Sequence, residues 1–428
     1  MELKILFITS CCFSDSESNG KTMESLFSCF QKEQLAQFYI KDFEPDWAFC
    51  DNYFRVTDKD MLKCFFKASG GIMDVTKSQK NNEETQHAKP TKNAFRLLIR
   101  QLLWNLNIWE IRTKYKDWVK SIAPDLIFFM VGENSFMMKI AINTSRWTKA
   151  PLLVYNTEGY YYAQHNYFPS SSFLGKLTFK IFLKQYRKVF QKLMYRTNYA
   201  LYNCQKLADD YGKEFKLPST VLYTTSSINI KPYQPYNDSA HLRISYIGTL
   251  GLGRHKSLIQ IGKVLYEYHS DLVIHVYGSC KKEVAQELQE APGIKYEGHI
   301  PFNQVIKEIE KNDILVHVES FDSLYSDMIK YGFTTKIADS LMAGRCFFIY
   351  APSFVACFDY IQSINPECTA CNMAEMKAKL IRLIEDKKLR MDCASKNKTF
   401  ALQNHSIIRN EAIIKNVVSK IINNDIHS

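Results

Sequence analysis

The stretch Ile244-Ser-Tyr-Ile-Gly248-Thr-Leu-Gly251-Leu-Gly253-Arg254-His255-Lys256-Ser257-Leu258 reads as a short β-branched strand that empties into a glycine-rich turn and then a helix. Such a turn is suited to a phosphate. Glycines let the backbone approach an anion, the first N–H groups of the helix point at it, and Arg254 or Lys256 can neutralise it. A structural turn with solvated cations is the plainer alternative. A second element further on, Thr334-Thr335-Lys336-Ile337-Ala338-Asp339-Ser340-Leu341-Met342-Ala343-Gly344, makes the combination more specific than either part alone.

Outward from this strand–turn–helix unit, short apolar runs alternate with helical patterns through most of the chain, which predicts parallel α/β architecture. The first series of strands is Lys4–Thr9, Gln37–Lys41, Asp125–Val131, Leu152–Asn156, Tyr199–Cys204 and Thr220–Thr224. A second runs Arg243–Gly248, Leu272–Tyr277, Ile294–Glu297, Ile314–Val318 and Cys346–Tyr350. Two doubly wound domains follow, over 1–230 and 241–405, joined by the proline-bearing linker 231–240, with a ligand expected at the carboxyl ends of the strands. Residues 76–93, polar and poor in large apolar side chains, predict a mobile loop. In 406–428 the paired isoleucines and valines predict an amphipathic helix packed on the body.

The chain has 428 residues, long enough for more than one core, and a net charge of +11 that implies an anionic partner such as a nucleotide or a phospholipid surface. Cations interleaved with exposed aromatics on one strand face are not evident, so nucleic acid is not expected. The N-terminal apolar run is too short and lacks a cleavage site for a signal peptide, and no run reaches the length of a membrane span. A cytoplasmic protein with reduced thiols is therefore expected, at most peripheral to a membrane. Of the 12 cysteines, Cys368 and Cys371 have metal-ligand spacing but lack a second pair, so a metal there is not expected.

With both glycine-turn and Thr-Thr-Lys elements in place, residues 242–350 resemble glycosyltransferases of the GT-B fold, and more narrowly the retaining family 4 type of bacterial surface-polysaccharide (capsule or lipopolysaccharide) biosynthesis. The resemblance implies two Rossmann-like domains facing a central cleft, with the nucleotide-sugar donor on the C-terminal domain and the acceptor on the N-terminal one. It implies that Gly248, Gly251 and Gly253, with Arg254 or Lys256, meet the donor diphosphate, and that Asp339 grips the ribose hydroxyls. Thr334, Thr335 and Lys336 would then face the phosphates. Where the family usually has a first glutamate this chain has Tyr331, a departure for which Glu319 is a candidate substitute. His299 and Ile300 fall where backbone groups commonly hold the base.

In the N-terminal half, Gly20 and Lys21 lie in a loop that the resemblance makes a phosphate or acceptor contact; the Walker pattern they mimic fails at Asp15. Glu158 takes the position of the family's sugar-facing histidine. With His165 and Glu133 it is a candidate for handling the acceptor proton, as none is singled out by the sequence. Residues 159–208 lack Asp and Glu, while Lys176, Lys180, Lys184, Lys188, Lys192 and Arg196 recur along one predicted helix beside Phe173, Leu177, Phe182, Tyr186, Phe190 and Leu193. This pattern suits either an anionic membrane surface or ordinary packing with a solvated basic face. The expectation is a nucleotide-sugar-dependent glycosyltransferase without bound metal or cofactor, acting on a glycan or lipid-linked acceptor. Its rivals are a non-catalytic anion- or membrane-binding protein of the same fold and a sugar-nucleotide 2-epimerase, against which the loss of the glutamate at Tyr331 argues.

Overall fold

The computed structural model describes residues 3–14, 18–63, 70–73, 93–106, 108–166, 172–228, 230–233 and 242–423. The expected loop 76–93, except for residue 93, and most of the linker, from residue 234, lie outside them.

The first sheet holds β1 (Ile5–Ile8), β2 (Leu35–Tyr39), β3 (Asn52–Arg55), β4 (Gly71–Ile72), β5 (Leu126–Met130), β6 (Leu152–Asn156), β7 (Tyr199–Tyr202) and β8 (Ser219–Val221), in the order 4-3-2-1-5-6-7-8. All neighbours pair in parallel except β3 with β4. The second holds β9 (Ile244–Ile247), β10 (Ile274–Tyr277), β11 (Ile294–Gly298), β12 (Ile314–Val318), β13 (Cys346–Tyr350) and β14 (Thr369–Ala370), wholly parallel in the order 11-10-9-12-13-14. Relative to its first strand this is the doubly wound order 3-2-1-4-5-6, which reverses between β9 and β12. Helices cover both faces, so the central strands are apolar on both sides: Ile5, Leu6, Phe7 and Ile8 are all fully buried. Three strands escaped the sequence reading, β3, β4 and β14. All lie towards sheet edges, and two of them are only two residues long.

Two compact units result, 1–222 with 410–428, and 223–409. The first unit therefore ends before residue 230, the boundary expected from the prolines, and the chain returns to it at its C-terminal end. There the helix Ile407–Ile422 places Ile414, Val417, Val418 and Ile421 in the core around Phe7, Phe27 and Phe128. Burying that isoleucine and valine stripe is what its helical spacing requires.

The basic segment forms the helix Phe173–Arg196, capped by Ser172, whose hydroxyl accepts from the Gly175 N–H. Its apolar surface is divided. Phe182, Tyr186, Phe190 and Leu193 are buried in the first unit, as the packing alternative of the sequence reading has them, with Phe190 against Tyr161, Tyr211 and Phe215. Phe173, Leu174, Leu177 and Ile181 stay exposed near its start. On the helix Ala94–Leu106, which packs against it, Phe95, Ile99 and Leu102 are exposed as well. No described helix is long and apolar enough to cross a membrane.

Candidate functional site

In an open parallel sheet, side chains converge beyond the carboxyl ends of the strands where the strand order reverses. In the second unit that point lies between β9 and β12, and the glycine turn leaves β9 there. Gly253 holds φ +75°, and a Cβ on it would stand 2.8 Å from the Ser320 hydroxyl, so the left-handed conformation and the close approach both require glycine. Leu252 beside it holds φ +59°, a conformation that costs a non-glycine residue about 1–2 kcal/mol. The turn feeds the helix Arg254–Tyr268.

Arg254 does not project freely towards a ligand. Its Nε and Nη2 each donate at 2.9 Å to the two oxygens of Glu319, and Nη1 donates to the Thr249 hydroxyl at 3.1 Å. Glu319, which follows β12, is fully buried. Burial pushes its carboxyl up, but the hydrogen bond with His317 and the charge of Arg254 outweigh this and hold it below the usual range. Ser257 Oγ donates to the Glu319 carbonyl, locking the turn to the strand end. Among the described residues His317, Glu319 and Cys357 could approach a common metal ion, but both oxygens of Glu319 already serve Arg254, which favours the ion pair over a cation.

The helix Thr335–Met342 opens near this pair, with Thr334 as its N-cap residue and the Thr334 Oγ1 buried without a hydrogen-bond partner. Burial lowers the Lys336 ammonium, the Arg254 charge lowers it further, and Asp339 partly opposes both. Asp339 accepts a hydrogen bond from Ser226 Oγ at 2.6 Å. Lys256 is exposed on the first turn after Gly253. Among the described residues neither Lys256 nor Lys336 is in an ion pair, so these two carry the charge that sequence reasoning had shared with Arg254. Tyr331 is buried, with Lys330 Nζ donating to its hydroxyl at 2.8 Å. His299 and Ile300 follow β11 at the sheet edge, after Gly298 at φ +76°. Gly248 and Gly251 flank the turn before Gly253.

The first unit reverses between β1 and β5, and there Glu133 stands half-buried after β5. Gly20 lies in the helix Ser18–Phe27 where a Cβ would meet the Cys12 and Ser14 backbone at 2.8 Å, and Lys21 follows it. The segment Thr9–Phe13 after β1 is held by a residue that sequence reasoning missed. Gln37, fully buried on β2, donates to Thr9 Oγ1 and the Cys11 carbonyl, and accepts from the Phe13 N–H. Its only sequence signal is an amide inside an apolar strand.

Glu158 follows β6. Crowding by surrounding protein atoms pushes its carboxyl up to about 7, and the Glu133 carboxylate adds to the shift. The residue keeps solvent-exposed surface, which tempers that shift. His165 is exposed beyond the turn Tyr160–Tyr162. Arg187 anchors this segment, donating from Nε to the Tyr161 carbonyl at 2.9 Å and from Nη2 to the Ala163 carbonyl at 2.8 Å. Asn156, another residue the sequence did not single out, is fully buried at the end of β6 with both amide atoms unpartnered.

No family model matches this chain, and no curated protein matches it. Solved structures do match, over nearly the full length. Anabaena HepE in complex with UDP covers 98% of this chain and 100% of its own, at 11% identity and a TM-score of 0.61. Sucrose-phosphate synthase from Thermosynechococcus elongatus covers 98% and 99%, at 9% identity and a TM-score of 0.60. The Escherichia coli trehalose-6-phosphate protein bound with UDP-2-fluoro glucose gives the same coverage, identity and TM-score. At such identities the likeness shows the fold, GT-B, with two Rossmann-like units.

Proposed function

We propose that this protein is a nucleotide-sugar-dependent glycosyltransferase with its donor site on the second unit. The observation that carries this reading is the convergence, where the sheet order reverses, of the Gly253 turn, the start of the helix Thr335–Met342, and the cations Lys256 and Lys336. Two helix N-termini and two ammonium groups are the chemistry a leaving nucleoside diphosphate needs as negative charge gathers on it. Asp339 would take the ribose hydroxyls, exchanging the Ser226 hydroxyl for them. The ligands named in two solved structures of this fold, UDP and UDP-2-fluoro glucose, support the same class of donor.

Transfer proceeds without a resident metal in this reading, since Arg254 engages the carboxylate nearest the turn. Glu158 is the first choice for the acceptor proton, because a carboxyl raised above its ordinary range is a stronger base, with Glu133 and His165 as the alternatives. The acceptor is a glycan or a lipid-linked glycan bound by the first unit, and retention of configuration follows from the resemblance to family 4. The exposed lysines of the helix Phe173–Arg196 would hold the protein against an anionic, cytoplasm-facing membrane surface. The test is release of nucleoside phosphate from a panel of UDP-, GDP-, ADP- and CMP-sugars. Turnover of one donor class supports the transferase; tight binding without turnover of any would leave a protein that only binds.

A further inference from the structure

Three cysteines that glycosyl transfer does not use meet in the core of the second unit. Cys346 opens β13, Cys368 closes the turn Pro366–Cys368, and Cys393 lies in the helix Lys387–Asn404. All three are free thiols and buried. Their sulfurs all lie within 4.8 Å of one another, and Cys346 and Cys368 are 3.9 Å apart, well beyond a disulfide bond of about 2.05 Å.

A separate hydrogen-bond network ties the same three segments. Asn365 Nδ2 donates to Asn397 Oδ1 at 2.5 Å and to the Cys393 carbonyl at 3.3 Å, and Asn397 Nδ2 donates to the Arg345 carbonyl at 2.8 Å. Every residue in it is a cysteine of the trio or a near neighbour of one along the chain. The sulfurs are therefore held in place by contacts that do not depend on the sulfurs themselves. Sulfurs around one ion at a metal–sulfur distance of about 2.3 Å in a flat trigonal arrangement stand about 4.0 Å apart, the spacing of Cys346 and Cys368.

We propose that Cys346, Cys368 and Cys393 form a three-thiolate site for a single soft metal ion, cuprous copper. Thiolate sulfur selects soft ions, and structural zinc takes four protein ligands where, among the described residues, this cluster supplies three. Cuprous copper accepts three-fold coordination. Binding releases the thiol protons to solvent without any change of oxidation state. Cys346 stands at the start of β13, at the opposite end of the sheet from Lys336 and Glu319, so the ion would staple β13 to the helix Lys387–Asn404 and take no part in transfer. The inference is independent of the transferase reading.

The reduced protein, stripped of metal, is titrated anaerobically with cuprous ion against a competing cuprous chelator. One copper per chain retained, a rise in melting temperature on loading, and a copper-edge X-ray absorption spectrum with three sulfur neighbours are expected. Cys346→Ser, Cys368→Ser and Cys393→Ser should each lose the retained copper. Cys371→Ser should keep it, because Cys371 instead donates to Glu375 outside the trio. Loss of all copper from the wild type to the chelator would overturn the site, as would equal retention by all three variants. If the serine variants do not fold, the wild-type spectrum decides, and nitrogen, oxygen or four sulfur neighbours would contradict the proposal.

Discussion

Arg254 and Glu319 meet in a two-point ion pair with no solvent access at the carboxylate, so removing either partner strands a buried charge. Arg254→Ala should destabilise the second unit by about 3–5 kcal/mol, measured by denaturant unfolding. A loss below about 1 kcal/mol would return Arg254 to the role of an exposed phosphate ligand. Because the folded protein holds the Glu319 carboxyl below its unfolded value, the stability it contributes is present above that unfolded value and is lost as pH falls through the folded one. His405, buried between Tyr360 and the Thr224 carbonyl, is lowered from 6.5 to about 4, chiefly by burial. Its folded state refuses a proton that the unfolded chain accepts, so stability falls as pH drops from about 6.5 towards 4, by roughly 3 kcal/mol over that window. His405→Gln should flatten the fall seen in acid unfolding curves; an unchanged slope would contradict it. Glu158 runs the other way. Raised from 4.5 to about 7, it stabilises the fold below 4.5 and loses that contribution as pH rises through 7, with its exposed surface reducing the effect. As the proposed base for transfer it must be ionised, so the rate should climb at a pH between 4.5 and about 7 and lose that inflection in Glu158→Gln; an unaltered profile would assign the proton to another group.

At the scale of elements, the long buried strands could be read from the sequence because an apolar β-branched or aromatic run has one stable home in a parallel sheet. Leu152–Asn156, Ile314–Val318 and Cys346–Tyr350 were bounded to the residue. Short strands at or next to the sheet edges, such as β3 and β14, were not, since two to four residues with polar neighbours carry no period. The glycine turn was legible for its backbone demands, but its partners were not: which carboxylate meets Arg254 depends on β12 lying beside β9, a long-range pairing with no local trace. Gln37 and Asn156 were invisible for the same reason. The helix Phe173–Arg196 shows the limit of charge patterning, for its lysines face water while Arg187 and Arg196 donate to backbone carbonyls and most of its aromatics serve the core. For a membrane role this region offers, among the described residues, exposed Phe173, Leu174, Leu177, Ile181 and Tyr195, with Phe95, Ile99 and Leu102 of the neighbouring helix. Changing Lys180, Lys184 and Lys188 together to Glu should remove binding to anionic vesicles in co-sedimentation, and Phe173→Ser with Leu177→Ser should weaken it even at low salt. Equal sedimentation of all three proteins would leave this helix a packing element with a solvated face.

For the whole molecule, each unit repeats one plan: a doubly wound sheet, parallel but for β3 with β4, whose strand order reverses once, with candidate site residues at the carboxyl ends near the reversal. The first unit is completed by the last helix of the chain, which fills its core with Ile414, Val417, Val418 and Ile421, so truncation before residue 407 should expose an apolar seam and cost that unit its cooperative unfolding. The second unit carries the cations and helix starts that suit a nucleoside diphosphate. The direct measurement is calorimetric titration of UDP, GDP, ADP and CMP into the wild type, Lys336→Ala and Asp339→Asn. Saturable one-to-one binding of a nucleotide to the wild type is expected, weakened in Lys336→Ala by the loss of a diphosphate contact and in Asp339→Asn by the loss of a charged acceptor for ribose, with melting temperatures little changed. Failure of the wild type to bind any of the four, or equal affinity in all three proteins, would contradict the proposed donor site.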